Sequence, residues 1–255
     1  LGQGTSCIEL GFADCEFNLA QLPKFAKALR SHPRLKRFYV GNHVEDFVSA
    51  GGLANLLQHP LEALHLEGTP IALGMLEFSS SLCAGNTLKV LELINCGLND
   101  ECAAILLQSL ANLKDFRVVG GSDVDHFVSA RGFEVVLHHP LETLCLDSTP
   151  MTLKDMKELS SRLSANKMLQ NLELKNCGLD DECATILLQS LSNNGRLKIL
   201  DLSENNDMTC SEVWAKELPG LKNLRHLTLP HTAVQFYQDE ESAREEDNDG
   251  ESEDR

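Results

Sequence analysis

Cysteine, histidine and acidic side chains are the groups in this sequence whose spacing could do chemistry. Cys96 and Cys102 form a Cys-x5-Cys pair that Cys177 and Cys183 repeat, which offers four thiols as soft metal ligands. Cys145, with Asp147 two residues on and His65 in an equivalent segment, supplies the residue types of a Cys-His-Asp nucleophile system. His59, His138 and His139 precede apolar segments and add imidazoles. Whether such groups can act together depends on distance, and distance is set by the elements that carry them.

Those elements follow from a repeat. Leu-x-x-Leu-x-Leu occurs at Leu61/Leu64/Leu66, Leu88/Leu91/Leu93, Leu141/Leu144/Leu146, Leu169/Leu172/Leu174, Leu197/Leu200/Leu202 and Leu224/Leu227/Leu229. Weaker copies are Leu35/Phe38/Val40, Leu113/Phe116/Val118 and Ile8/Leu10. The last apolar residue of each copy gives intervals of 30, 26, 27, 25, 28, 28, 28 and 27 residues. A longer period overlies this one, because Cys96 to Leu110 returns at Cys177 to Leu191 with only Asn99 to Asp180 and Ala104 to Thr185 changed. Three short units have been duplicated as a block.

Leu-x-Leu is alternation of period two, so each copy predicts a short strand with leucines inward and the intervening residues on the opposite face. The segments that follow have helical spacing, as in Cys102, Ile105, Leu106 and Ser109. Thr152 with Asp155, and Thr209 with Glu212, carry the hydroxyl-x-x-acid signature of a capped helix start. One strand and one helix cannot bury their own apolar row, so neighbouring units must stack. The fold class expected is α/β: a solenoid of about nine repeats with a parallel concave sheet and outer helices, spanning residues 1–237.

Strand spacing then settles the chemistry. The two cysteine pairs lie three repeats apart, about 14 Å at about 4.8 Å per strand, so they cannot share one ion. His65 and Cys145 are separated by the same three strands, against the roughly 3 Å that a nucleophile and its base require. No Gly-rich phosphate loop, His-Glu-x-x-His or nucleophile-elbow pattern is present. We therefore expect no catalytic residue, no metal and no cofactor, and assign the three loop histidines no metal role. Trp214 reads as core cover on the last helix.

The pattern resembles the leucine-rich repeat. The units Leu88 to Cys102 and Leu169 to Cys183, with Leu-x-x-Leu-x-Leu-x-x-Cys-Gly-Leu-x-Asp-Glu-Cys, resemble the ribonuclease-inhibitor-like class, which includes the sensor domains of NOD-like receptors. That resemblance implies a horseshoe arc, with Cys96 and Cys177 turned into the core against backbone and Cys102 and Cys183 on the buried side of a helix. The units around Val40 and Val118 lack the Cys or Asn that the class carries after the strand.

The surface left to act is the concave face. Its central column reads Glu9, Tyr39, His65, Glu92, Arg117, Cys145, Glu173, Asp201 and Thr228, with Glu67, Asp147, Lys175 and Glu204 beside it. Tyrosine, histidine and arginine on a rigid sheet are residue types that anchor protein partners. The partner-binding set is Tyr39, His65, Glu67, Glu92, Arg117, Asp147, Glu173, Lys175, Asp201 and Glu204. The function expected is non-enzymatic recognition of a protein ligand, as in the sensor part of a NOD-like receptor. The alternative is an acidic-tailed regulator or chaperone of basic proteins, or a GTPase-activating leucine-rich-repeat protein.

Charge and composition bound both readings. The 255 residues carry a net charge of −16, which argues against a nucleic-acid partner, since phosphate neutralisation demands clustered Lys and Arg. From Asp239 to Arg255 ten acidic residues stand against two arginines, a balance of −8, with no Leu, Ile, Val or aromatic side chain. Residues 238–255 therefore read as a disordered acidic tail. No apolar run reaches the roughly 18 residues that a membrane-spanning helix needs. Nine cysteines without a disulfide-framework pattern fit a reducing compartment, cytoplasmic or nuclear. The chain begins at Leu1 and its first strand would lack a polar cap, so an upstream domain of the same chain is expected as a further partner.

Overall fold

The computed structural model describes residues 7–12, 34–41, 60–68, 87–120, 136–209 and 211–233, with single positions at 24, 28, 32, 71, 79 and 80. His59 and the acidic segment 238–255 lie outside the described residues. The chain forms two compact units, Leu1–Thr149 and Pro150–Arg255.

In the first unit six strands pair in parallel and in sequence order: β1 Glu9–Phe12, β2 Arg37–Val40, β3 Ala63–Glu67, β4 Val90–Ile94, β5 Asp115–Val119 and β6 Thr143–Asp147. In the second, β7 Asn171–Glu173, β8 Ile199–Asp201 and β9 His226–Thr228 do the same. Each unit is a leucine-rich-repeat α/β layer, the fold class expected from the periodicity. A parallel neighbour needs a crossover between strands, which is what the 25- to 28-residue spacing supplies.

Burial alternates as period two requires. Leu64, Leu66, Leu91, Leu93, Leu144 and Leu146 in the first unit, and Leu172, Leu174, Leu200 and Leu202 in the second, have no exposed surface. The residues between them are mostly half-buried. We call the side these occupy the open face. At the start of β4 two successive amides share one carbonyl of the preceding repeat: Lys89 N and Val90 N both donate to Glu62 O, at 2.8 and 3.0 Å. Lys114 and Asp115 repeat the arrangement on Lys89, and Lys198 and Ile199 repeat it on Gln170. This shared acceptor locks the register from which the open face inherits its order.

The described helices are α1 Asp100–Gln108, α2 Leu153–Ala165, α3 Asp181–Leu191 and α4 Ser211–Glu217. They turn Leu106 and Leu107, Met156 and Leu159, and Leu187 and Leu188 into the core. The change from Asn99 to Asp180 in the duplicated block preserves one job: each accepts a bond at its helix start, from Cys102 N at 2.9 Å and Cys183 N at 2.8 Å. Thr152 and Asp155 form the capping box expected of them. Thr209, whose spacing to Glu212 suggested another cap, donates its amide and hydroxyl to the Asp181 carboxylate of the preceding repeat, at 2.7 and 3.0 Å; residue 210, which follows it, lies outside the described residues. Trp214 is buried, as expected of core cover.

Candidate functional site: the open face of the sheet

Two rows of side chains cross the strands of the first unit on the open face. The central row is Gly11, Tyr39, His65, Glu92, Arg117 and Cys145, each paired with the next. Two residues further along the strands lies a trailing row, Glu67, Ile94, Val119 and Asp147. In the second unit Glu173, Asp201 and Thr228 stand in register, and Lys175 meets Glu204 at 3.1 Å. Lys175 and Glu204 follow β7 and β8 in turns, Glu204 with φ of +62°, while the other eight residues singled out for partner binding lie on strands at the outward positions that the alternation assigned them.

Glu9 does not, and here the sequence reading is corrected. It pairs with Arg37, side chains 3.5 Å apart, while Gly11 takes the place beside Tyr39. The cause is apolar. Phe12 rather than Leu10 fills the last inward position of β1, its ring centroid 5.8 Å from that of Phe38. From Phe12 to Val40 the interval is 28 residues, so the apparent interval of 30 dissolves.

Neighbouring strands hold these side chains in place. The Tyr39 hydroxyl donates to the Glu67 carboxylate, with its ring near Gly11 and its oxygen against Gly41, where a methyl group would approach to 2.7 Å. His65 Nδ1 meets the Glu92 carboxylate, and that bond holds the Glu92 pKa below its ordinary value, with Arg117 acting in the same direction. Arg117 reaches back along its own strand to Asp115, Nε to Oδ1 at 3.0 Å and a second nitrogen to Oδ2 at 3.4 Å. Burial raises the Asp115 pKa in spite of this pairing. Cys145 is only 5% exposed although it lies in the outward row. Asp115, Ile94, Val119 and Gly11 escaped the sequence reading. Asp115 was within reach of it, because a residue two before Arg117 shares its face.

The groups that suggested metal or nucleophilic chemistry are kept apart. His65 and Cys145 sit on β3 and β6, three strands from each other. Cys96 Sγ lies 3.3 Å from Leu66 O and Cys177 Sγ 3.4 Å from Lys175 O, against backbone inside the core. Cys102 and Cys183 are buried on their helices, and burial pushes the Cys183 thiol up to about 11, so both stay protonated at neutral pH. Among the described residues the cysteines are free thiols, and no group of three or more His, Cys, Asp or Glu is placed to hold an ion. Burial and the neighbouring His138 both lower the pKa of His139. Among the described residues no helix is long and apolar enough to cross a membrane.

At the leading edge of the strands, which the sequence reading did not consider, Lys36 and Lys89 both reach Glu62, at 3.2 and 2.9 Å, and Lys114 reaches Glu142 at 2.6 Å. Glu62, Thr87, Asn112 and the three lysines line a cleft of 330 Å³. Lys89 and Lys36 hold the Glu62 pKa below its ordinary value. These are exposed ion pairs of small individual worth.

No family model matches the chain. Among solved structures it is similar to a protein from Bacteroides fragilis, at 17% identity and a TM-score of 0.51, over 86% of this chain and 73% of that one. It is also similar to TLR13 from a complex with the single-stranded RNA ssRNA13, at 17% identity and a TM-score of 0.51. That match covers 86% of this chain and 32% of the other, so the chain spans about a third of TLR13. At such identities the likeness shows the fold alone, that of a leucine-rich-repeat solenoid.

Proposed function

We propose that this chain is a non-enzymatic recognition scaffold that binds a protein partner on the open face of its sheet. One observation carries the reading. The strands set Tyr39, His65, Glu92 and Arg117 side by side in strict register, half-buried and held by neighbours, so the face is ordered before any partner arrives. Preorganisation of this kind lowers the entropy lost on binding. The spacing that sets these groups in a row also keeps nucleophile and base apart, which leaves recognition as the use of the face. The TLR13 complex holds RNA, yet the −16 charge of this chain favours a protein, and a basic one, over a polyanion. A sensor role of the NOD-like type is the finer form of the same reading, supported by the Cys-Gly-Leu repeat pattern.

The test is a displayed library of small proteins panned against the full chain. Binders to the face of the first unit should be lost on charge reversal by Arg117→Glu, and binders to that of the second by Glu173→Lys. They should persist when 239–255 is deleted and when ionic strength is raised. Capture that disappears on that deletion and with salt, but ignores both reversals, would transfer the role to the acidic tail.

A further inference from the structure

The trailing row of the first unit has a composition that the central row lacks. Glu67, Ile94, Val119 and Asp147 lie on four successive strands, paired Glu67 to Ile94, Ile94 to Val119 and Val119 to Asp147. The order is thus carboxylate, two half-buried apolar side chains, carboxylate. Glu67 accepts from the Tyr39 hydroxyl, and Asp147 accepts from the Ser148 hydroxyl at 3.0 Å. A neutral donor steadies a carboxylate without cancelling its charge. In the central row behind, Glu92 faces His65 and Arg117 holds Asp115. The trailing row therefore carries a carboxylate at each end, with two half-buried apolar side chains between them.

From this we infer that the row recognises a partner segment in which one apolar side chain is flanked by two cationic ones. Three strand intervals separate Glu67 from Asp147 by about 14 Å. In an extended chain residues i, i+2 and i+4 point the same way, and i to i+4 spans about 13 Å. Lys or Arg at i and i+4, with Leu, Ile or Val at i+2, would place each cation on a carboxylate and the apolar side chain over Ile94 and Val119. A segment with one cation satisfies half of the row. A cationic segment without the central apolar residue leaves the two methyl-bearing side chains in water. This specificity rests on the reading of the open face as a protein-binding surface.

The test uses fluorescent nonapeptides and the full chain at low ionic strength, read by anisotropy. The probe carries the core Arg-Thr-Leu-Thr-Arg; the controls carry Glu-Thr-Leu-Thr-Glu, Arg-Thr-Asn-Thr-Arg and the shortened core Arg-Leu-Arg. The first should bind at least about tenfold more tightly than any control. The double variant Glu67→Gln, Asp147→Asn should lose about tenfold for that probe while its thermal melt matches the parent. Ile94→Asn should erase the preference for leucine over asparagine in the probe. Equal binding of the probe and its controls overturns the inference, as does a double variant that folds and binds the probe undiminished. Should the probe fail while library binders still depend on Arg117, the recognition face stands and this specificity falls.

Discussion

His65 on β3 and Glu92 on β4 stand opposite each other in the register, and the imidazole Nδ1 meets the carboxylate across the strand gap. Their side chains are 31% and 25% exposed, so the pair is neither solvated nor sealed. The contact joins two repeats that are 27 residues apart and is made by the face itself, with no support from the leucine core. Because it holds the Glu92 pKa below its ordinary value, it ties stability to pH. The bonded carboxylate contributes fully above the ordinary glutamate range, and the contribution fades as pH falls through the lowered pKa of the folded state.

For Glu92→Gln we expect a melting temperature below that of the parent and a nearly constant difference above about pH 5. The difference should close as the medium is acidified below the usual carboxylate range. Melts followed by circular dichroism between acidic and neutral pH would check this; a gap that widens on acidification would contradict it.

Gly41 gives the Tyr39 hydroxyl its room. In Gly41→Ala the new methyl group would stand 2.7 Å from that oxygen, which must move away from the Glu67 carboxylate. A loss of about 1 kcal/mol is expected, with increased mobility of the ring. Tyr39→Phe should cost a similar amount, and the double variant should cost little more than either alone, which a double-mutant cycle in urea would measure.

Asn205 replaces, inside the core, the cysteine that the preceding repeat carries as Cys177. Its Oδ1 accepts from Cys177 N at 2.9 Å and Leu179 N at 3.1 Å, and its Nδ2 donates to Leu174 O and Leu202 O at 2.8 Å each. Asn205→Ala orphans all four backbone groups in a site 1% exposed, at a cost of about 3 kcal/mol or more. Asn205→Cys should recover part of that loss in equilibrium unfolding, since the smaller thiol can still lean on a carbonyl. Equal cost for the two would deny that reading.

Gly97 and Gly178, the glycines of the two Cys-Gly-Leu motifs, have φ of +59° and +66° with no atom within 4 Å of an added methyl group. Gly178→Ala should therefore cost about 1 to 2 kcal/mol from backbone conformation alone. Gly195 lacks the positive φ and has only Asn223 at 3.9 Å, so Gly195→Ala should be neutral or slightly stabilising. Denaturant midpoints for the pair separate strain from crowding.

The strand-helix period, the inward leucines and the outward positions of each unit, Tyr39 to Arg117 in the first and Glu173 and Asp201 in the second, were legible in the sequence. Period two and a near-constant interval leave one way to bury Leu64, Leu91, Leu144, Leu172 and Leu200 at once. The same logic keeps His65 and Cys145 from acting as base and nucleophile together, because strands about 4.8 Å apart hold them at fixed remove. What the sequence alone could not decide was the outcome wherever two local signals compete. Leu10 and Phe12 are both plausible inward residues, and only the packing of Phe12 on Phe38 moved Glu9 out of the row and put Gly11 in it. Thr209 carried a capping signature, and only tertiary structure brought it the Asp181 carboxylate of the neighbouring repeat as a partner. Which outward side chains meet, His65 with Glu92 and Arg117 with Asp115, was likewise settled by tertiary structure. Such pairings depend on rotamers and burial between repeats, quantities to which a one-dimensional pattern of apolar and polar residues is blind.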